Sequence, residues 1–300
     1  MIEHTSAVIV ADGGIDLPEG YAEQMALSVV PLMVNIGSQS LQSGVDITPK
    51  EFFNHLRHAE ELPTTSQPSV GDYIAIFREA GKYGLPILSF HLSRGLSGSI
   101  HSAEAARQML PGLDIRLIDT GTLSCAMAMQ VMVAVDMARE GFPPEEIIAE
   151  VRTIGEKADL LFTLDKLEYL RKGGRIGRVA GYVGNLLGVR PIVTVDKSTG
   201  TYVATGRGRS FRQAIKRIAD MVVERIGEGN EVSLFIVRGD CPAEADFLLE
   251  DLRRRLDVRL AEVMWVNPSL GVHVGPDALG VAFYPGTLPV TLPAAAAMAL

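Results

Sequence analysis

A two-domain α/β fold is what this 300-residue sequence predicts. The expected form is a three-layer α/β/α N-terminal domain with a mostly parallel sheet, then a two-layer α/β C-terminal domain with a mixed sheet. Three observations point there. Short β-branched runs alternate with stretches of helical length through the first half, the pattern of strand–helix–strand units. In the second half, two strand-like runs are joined directly by a turn at Asp196 to Gly200, so antiparallel pairing enters. The chain is also about twice a typical domain in length, enough to bury about three quarters of its unfolded surface.

Taken in order, Ala7 to Ala11 is an apolar strand that stops at Asp12-Gly13-Gly14. Ser28 to Val34 reads as a second strand. Thr48-Pro49-Lys50-Glu51 opens a helix with a cap, a proline at its first position and an acid at its third. Leu85 to Phe90 is a strand, Ile100 to Leu110 a helix, and Asp114 to Ile118 a strand. Cys125 to Glu140 is apolar on nearly every side, which makes it a buried helix. Pro143-Pro144-Glu145-Glu146 starts another helix. Leu160 to Thr163 is a strand, followed by a glycine- and arginine-rich loop from Arg171 to Gly177. Pro191 to Val195 and Thr201 to Thr205 form the hairpin. Ser210 to Ile226 is an amphipathic helix with Phe211, Ala214, Ile215, Ile218 and Val222 on one face. Val232 to Val237 is a strand, Pro242 to Arg255 a helix, and Val258 to Val266 and Val281 to Tyr284 complete the sheet. The boundary falls near Asp159, giving domains 1–158 and 159–285, with a tail, 286–300, expected to be flexible.

Composition narrows the function. Apolar residues make up 47%, charged residues 21% and aromatics 6%, which excludes a disordered, collagen-like or coiled-coil chain. Lys plus Arg is 28 against 36 Asp plus Glu, a net charge of −8 that argues against nucleic acid as a partner. The two cysteines, Cys125 and Cys241, show no metal spacing and give no disulfide framework, so a reducing cytoplasm is the expected location; neither a metal nor a cofactor is expected. Met1 to Ala11 lacks the basic start of a signal peptide, and even the richest apolar stretch, Cys125 to Ala138, contains Gln130 and Asp136. No integral membrane segment is therefore expected.

Four polar stretches fall at strand ends or in loops, where sites concentrate. They are Asp12 to Leu17, Pro63-Thr64-Thr65-Ser66-Gln67-Pro68, His91 to Ser99, and Gly271-Val272-His273-Val274-Gly275-Pro276. The stretch ending Ser97-Gly98-Ser99 follows a strand and opens a helix. It suits either a plain N-cap with turn glycines or an anion resting on free N–H groups. It is neither a Walker loop nor a nucleophile elbow. The Thr65 stretch reads as a capped loop or as a source of hydroxyl donors. His55 and His58 lie at helical spacing but lack a third ligand, which favours a solvated face over a metal pair. Arg171, Lys172, Arg175, Arg178 and Arg190 form one basic cluster, and Arg207, Arg209 and Arg212 another. They read as solvated charge or as a surface for a carboxylate or phosphate.

From about Ala7 to Tyr284 these pieces resemble the DegV family of bacterial fatty-acid-binding proteins. The resemblance is carried by the Asp12 turn, Thr65-Ser66-Gln67-Pro68, Leu92 to Ser99, Leu167 to Ile176, Arg209 and the His273-Val-Gly-Pro end. It implies one long-chain fatty acid in an internal tunnel, its carboxylate held by Thr65 and Ser97 with Gly98 and His273 beside them. It also implies that Arg175 and Arg209 serve the head-group rim or a partner, a fatty acid kinase whose acyl phosphate product feeds phospholipid synthesis. On this reading the protein is a carrier and not an enzyme. Two departures stand out. The usual Asp-Ser-Thr is Asp12-Gly13-Gly14, and Arg94 stands where a second serine is common, close enough in sequence to join the rim.

The residues suit such a task. A chain of about fourteen methylenes gains roughly 11 kcal/mol on burial before ordering costs. Eleven methionines offer deformable walls, and Met127, Met129, Met132 and Met137 on the buried helix are candidate tunnel residues, with plain core packing the favoured alternative for any single one. The alternative from another class is a stand-alone acyl hydrolase using Ser97 and His273, for which the sequence shows no identifiable acidic third member.

Overall fold

The computed structural model of the chain describes residues 5–183 and 188–292. The first half runs β1 (Val8–Asp12), α1 (Tyr21–Met25), β2 (Ser28–Val30), β3 (Met33–Ile36), β4 (Gln39–Gln42), α2 (Pro49–His58), β5 (Thr64–Ser66), α3 (Val70–Gly81), β6 (Ile87–His91), α4 (Ser99–Gln108), β7 (Ile115–Asp119), α5 (Ser124–Arg139) and α6 (Pro144–Lys157). Four of these strands form a parallel sheet in the order β2-β1-β6-β7. The run expected as one strand from Ser28 to Val34 is two. Pro31 has no N–H to give a ladder, and the chain leaves the parallel sheet there. β3 instead centres a small antiparallel sheet, β4-β3-β5, with Val34 opposite Thr65. Thr65 thus stands on a paired strand. The Ser69 cap and its reciprocal bond with Asp72 come only after it, at the start of α3.

The second half contains β8 (Asp159–Leu164), α7 (Glu168–Lys172), α8 (Val179–Val183), β9 (Arg190–Asp196), β10 (Thr201–Gly208), α9 (Phe211–Ile226), β11 (Glu231–Arg238), α10 (Pro242–Arg255), β12 (Asp257–Trp265), α11 (Pro268–Val274) and β13 (Ala278–Pro285). Its six strands are ordered β10-β9-β8-β13-β11-β12. Only β11 and β12 pair in parallel, across α10, so the sheet is mixed. The β9–β10 hairpin forms where expected. Gly200 takes the left-handed φ of 65° that closes its turn.

Alternation along the strands sets the layers. In β1, Val8 and Val10 point to α3 and α4, meeting Tyr73, Phe77, Ala103 and Ala106. Ile9 and Ala11 point the other way, to α5. In β11, Leu234 and Ile236 meet Ile215, Ile218 and Leu248 on α9 and α10. Phe235 and Val237 point inward, again to the core that holds α5. α5 therefore lies between the two sheets, which explains a helix with no polar face. The boundary expected near residue 159 falls between α6 and β8, and one continuous core crosses it. Two points of the segment expected to be a loose tail touch the core sheet and α5. Leu288 is buried, its N–H bonded to Ser233 Oγ at 2.8 Å, and the Thr291 N–H reaches Asp136. Residues 293–300 lie outside the described residues.

Truncating a fully buried α5 side chain leaves a cavity that touches both sheets. Met129→Ala is expected to lower stability by about 2–5 kcal/mol, read from the midpoint and slope of urea unfolding.

Candidate functional site

Three short segments converge on one polar cavity. The first is β5, which carries Thr65. The second is the loop after β6. There the Ser93 N–H bonds Thr122 O at 2.7 Å and the Ser97 N–H bonds Ser93 O at 3.2 Å, folding the chain into a tight turn. Ser97 Oγ accepts the Ser99 N–H at 3.2 Å and keeps its own proton for another acceptor. Gly98 caps α4, and a Cβ there would fall 2.2 Å from Gln67 Oε1. Gln67 Nε2 in turn donates to Ser102 Oγ at 2.9 Å, so the Thr65 segment is tied onto the first turn of α4. Beneath the loop, buried Asp12 accepts the N–H groups of Gly14 and Leu92. The Tyr73 hydroxyl shares a 2.6 Å bond with Ser99 Oγ.

The third segment is α11, seven residues wedged between α2 and α7. Its glycines allow the wedge. A Cβ on Gly271 would lie 2.7 Å from Phe52 Cε1, and one on Gly275 2.4 Å from the Tyr169 ring. Gly173, after α7, leaves room for the His273 ring, whose Nδ1 would be 2.2 Å from a Cβ at that position. His273 Nε2 lies 2.9 Å from Thr65 Oγ1, across 208 residues of sequence. Burial, then the neighbouring Arg175 charge, pushes the imidazole down to about 4, so it is neutral at neutral pH. Its Nδ1 is buried and without a partner among the described residues. Arg175 is fastened to two loops at once, Nη1 to Gly173 O at 2.7 Å and Nε to Leu96 O at 3.3 Å.

Thr65, Gln67, Ser97, Arg175, Ser269 and His273 form the polar side of this cavity of about 280 Å³, the polar cavity by virtue of the groups it holds, whose other side is leucine-rich. It meets an apolar cavity of about 40 Å³ at a shared wall of Leu123, Tyr202 and Leu270. Leu160, Phe162, Val237, Val266 and Ala278 continue that apolar lining. On the other side, Thr65, Arg175 and His273 also face an outer cleft of about 520 Å³, edged by Glu60, Glu61 and Lys172.

Of the residues singled out in the sequence, Thr65, Ser97, Arg175 and His273 are thus brought together, with Gly98 at the adjoining helix start. Arg175 was expected on the rim and lines the cavity itself. Arg94 does not join them. Its Nε bonds Asp119 at 2.8 Å, and the side chain turns outward because that carboxylate stands at the end of the next strand. Arg209 is exposed between β10 and α9, away from the cavity lining. Met127, Met129 and Met132 are fully buried but line neither cavity. Only the start of α5 reaches the apolar wall, and its later turns are packed between the sheets. His55 and His58 are exposed on α2, and no metal-binding group of three occurs among the described residues. Arg178 and Arg190 are paired with Asp196 and Asp165. The Gly13 and Gly14 departure has a steric reason. A Cβ would come 2.8 Å from Leu32 N at Gly13 and 2.8 Å from Leu92 Cβ at Gly14, and both leucines line the polar cavity.

The pair needed by a hydrolase is not formed. His273 Nε2 is engaged by Thr65, Ser97 Oγ is engaged by the Ser99 N–H, and no carboxylate meets His273 Nδ1 among the described residues. Leu123, Tyr202 and Leu270 escaped the sequence reading. They are ordinary core residue types, and only the meeting of the two sheets makes them a wall.

The family model described as "Uncharacterised protein, DegV family" matches residues 6–286. A DegV domain-containing protein of Deinococcus radiodurans is 39% identical over 284 residues, 95% of this chain and 97% of that one. Among solved structures, a DegV family protein from Thermus thermophilus, described for its fatty acid binding, is 32% identical with a TM-score of 0.85, over 93% of this chain and 99% of its own. DegV from Bacillus subtilis, described as a fatty acid binding protein, is 27% identical with a TM-score of 0.83, over 94% of this chain and 99% of its own. Likeness of this extent takes in both sheets and all three segments that build the cavity, and the chain belongs to the DegV family.

Proposed function

We propose that the chain binds one long-chain fatty acid, with its carboxylate between Thr65 and Ser97 and its hydrocarbon in the apolar core. The observation that carries this reading is the junction, at Leu123, Tyr202 and Leu270, of a cavity bearing the Thr65 and Ser97 hydroxyls with a mainly apolar one. The fatty acid binding described for the Thermus and Bacillus relatives supports the ligand class.

The site offers what a desolvated carboxylate requires. An isolated buried carboxylate costs several kcal/mol unless donors meet it. Thr65 and Ser97 supply hydroxyl protons and Arg175 supplies positive charge, with Gly98 beside them at the positive end of α4. His273 adds no charge. With its proton on Nε2 it donates to Thr65 Oγ1, which leaves the threonine hydroxyl free to donate to the ligand. The apolar cavity, at about 40 Å³, holds little more than one water-sized body. Side chains such as Leu123, Phe162 and Leu270 must therefore shift to admit an acyl chain, and chain preference is set by how far they yield.

The outer cleft supports a carrier role. The same Thr65, Arg175 and His273 that face the polar cavity also face the cleft, so a bound carboxylate lies within reach of a kinase arriving from that side. Acyl phosphate formation for phospholipid synthesis, with the chain presenting the substrate and the kinase supplying the chemistry, is the function proposed. Arg209, exposed at the end of β10, suits partner docking.

Thr65→Ala and Ser97→Ala are each expected to weaken oleate binding by about 1–3 kcal/mol, measured by calorimetric titration. Wild-type affinity in both would remove the head-group assignment. Arg175→Ala is expected to lower both binding and acyl phosphate formation by a fatty acid kinase. Arg209→Ala is expected to spare binding and slow phosphorylation. Equal loss of both activities in Arg209→Ala would mark that arginine as structural.

A further inference from the structure

Asp16 lies outside the polar cavity, yet it is joined to both cavities. It is buried in the segment after β1. One carboxylate oxygen accepts the Ser124 hydroxyl at 2.5 Å. The other accepts the backbone N–H and the side-chain amide of Asn267, each at 2.8 Å. Ser124 begins α5 and lines the apolar cavity. It holds a left-handed φ of 58°, uncommon outside glycine, and its N–H is fastened to Gly14 O at 2.6 Å. Asn267 is the N-cap of α11, its Oδ1 accepting the Leu270 N–H at 3.1 Å. Leu270 walls both cavities, and one turn further on His273 meets Thr65.

A seven-residue helix has too few internal bonds to hold its own place. We infer that Asp16 is a positioning residue: through Asn267 it sets where α11 sits, and so brings His273 onto Thr65 and Leu270 onto the cavity wall. The functional consequence rests on reading the cavity as a fatty-acid site. Asp16 also ties this placement to α5, because the same carboxylate holds Ser124 on the apolar side. An acyl chain that moves Ser124 therefore pulls on the group that places His273.

The surroundings isolate Asp16 as the group that titrates here. The Cys125 thiol is pushed up to about 12 and the Tyr202 phenol is raised further, both chiefly by burial, so both stay neutral. Burial raises Asp16 itself to about 6, against the bonds from Ser124 and Asn267 that lower it. Its proton is thus held up to about pH 6 in the folded chain, whereas His273, beside Arg175, titrates near 4. Protonation on Oδ2 turns the Ser124 hydroxyl from donor to acceptor, and it removes the negative charge that strengthens both bonds from Asn267 to Oδ1.

The test follows the His273 ring signals by NMR against pH in the ligand-free protein, with oleate affinity measured in parallel. Wild type is expected to show a step in the His273 signals near pH 6, separate from the step near 4. Asp16→Asn, which keeps an acceptor for Asn267 but cannot titrate, is expected to lose the upper step and to bind oleate at pH 7.5 more tightly than Asp16→Ala does. Asp16→Ala is expected to shift the His273 signals and lower the affinity about tenfold or more. Unchanged His273 signals and affinity in Asp16→Ala would overturn the proposal. Should Asp16→Ala not fold, the upper step decides: its absence in wild type, or its persistence in Asp16→Asn, would overturn it. If wild type does not bind oleate, the fatty-acid reading fails, and the His273 signals alone decide the placement of α11.

Discussion

Burial of α5 between two sheets is the constraint from which the site follows. A sixteen-residue helix with apolar residues on every side has no stable exposed position. Covering it requires the inward faces of both sheets at once, Ile9 and Ala11 from one and Phe235 and Ala282 from the other. That demand presses the parallel and mixed sheets against a common layer. It also brings the loop after β6, the edge strand β5 and the short helix α11 to one place. The polar cavity lies among these three and opens toward the core beside the first turn of α5.

The chemistry at that place depends on keeping charge scarce. A carboxylate enclosed by protein needs donors, but a second buried charge adds its own desolvation cost. The cavity offers two hydroxyls, one tethered arginine and an imidazole that burial keeps neutral, which is what the proposed ligand would need. Three glycines carry much of the geometry. Gly173, Gly271 and Gly275 allow α11 to approach its neighbours more closely than any side chain would permit. The placement of the Thr65 hydroxyl beside His273 is then a matter of packing.

Much of this was legible in the sequence, for physical reasons. The α9 stripe of Ala214, Ile215, Ile218 and Val222, the all-round apolar α5 and the Asp196 to Gly200 turn are local patterns, and each forms where it was read. Thr65, Ser97 and His273 stood out as polar residues at glycine- or proline-marked loops. What escaped was set by long-range contact. Pro31 divides one apolar run between two sheets, and the capped loop at Thr65 is a strand only because β3 lies beside it. Met127, Met129 and Met132 are core residues that line neither cavity, because helical periodicity cannot tell which turn of a buried helix faces one. Arg94 is drawn off by Asp119, a partner 25 residues away that spacing did not reveal. Asp16 drew no role of its own within the Asp12 to Leu17 stretch, because its partner Asn267 lies 251 residues later.

The direct measurement is a high-resolution structure of the chain with a saturated long-chain fatty acid bound. Carboxylate oxygens within about 3 Å of Thr65 Oγ1 and Ser97 Oγ, with the hydrocarbon passing Leu123, Tyr202 and Leu270 into a widened core, are what the geometry requires. A head group placed elsewhere, or hydrocarbon lying on the surface while those hydroxyls face only protein, would contradict it.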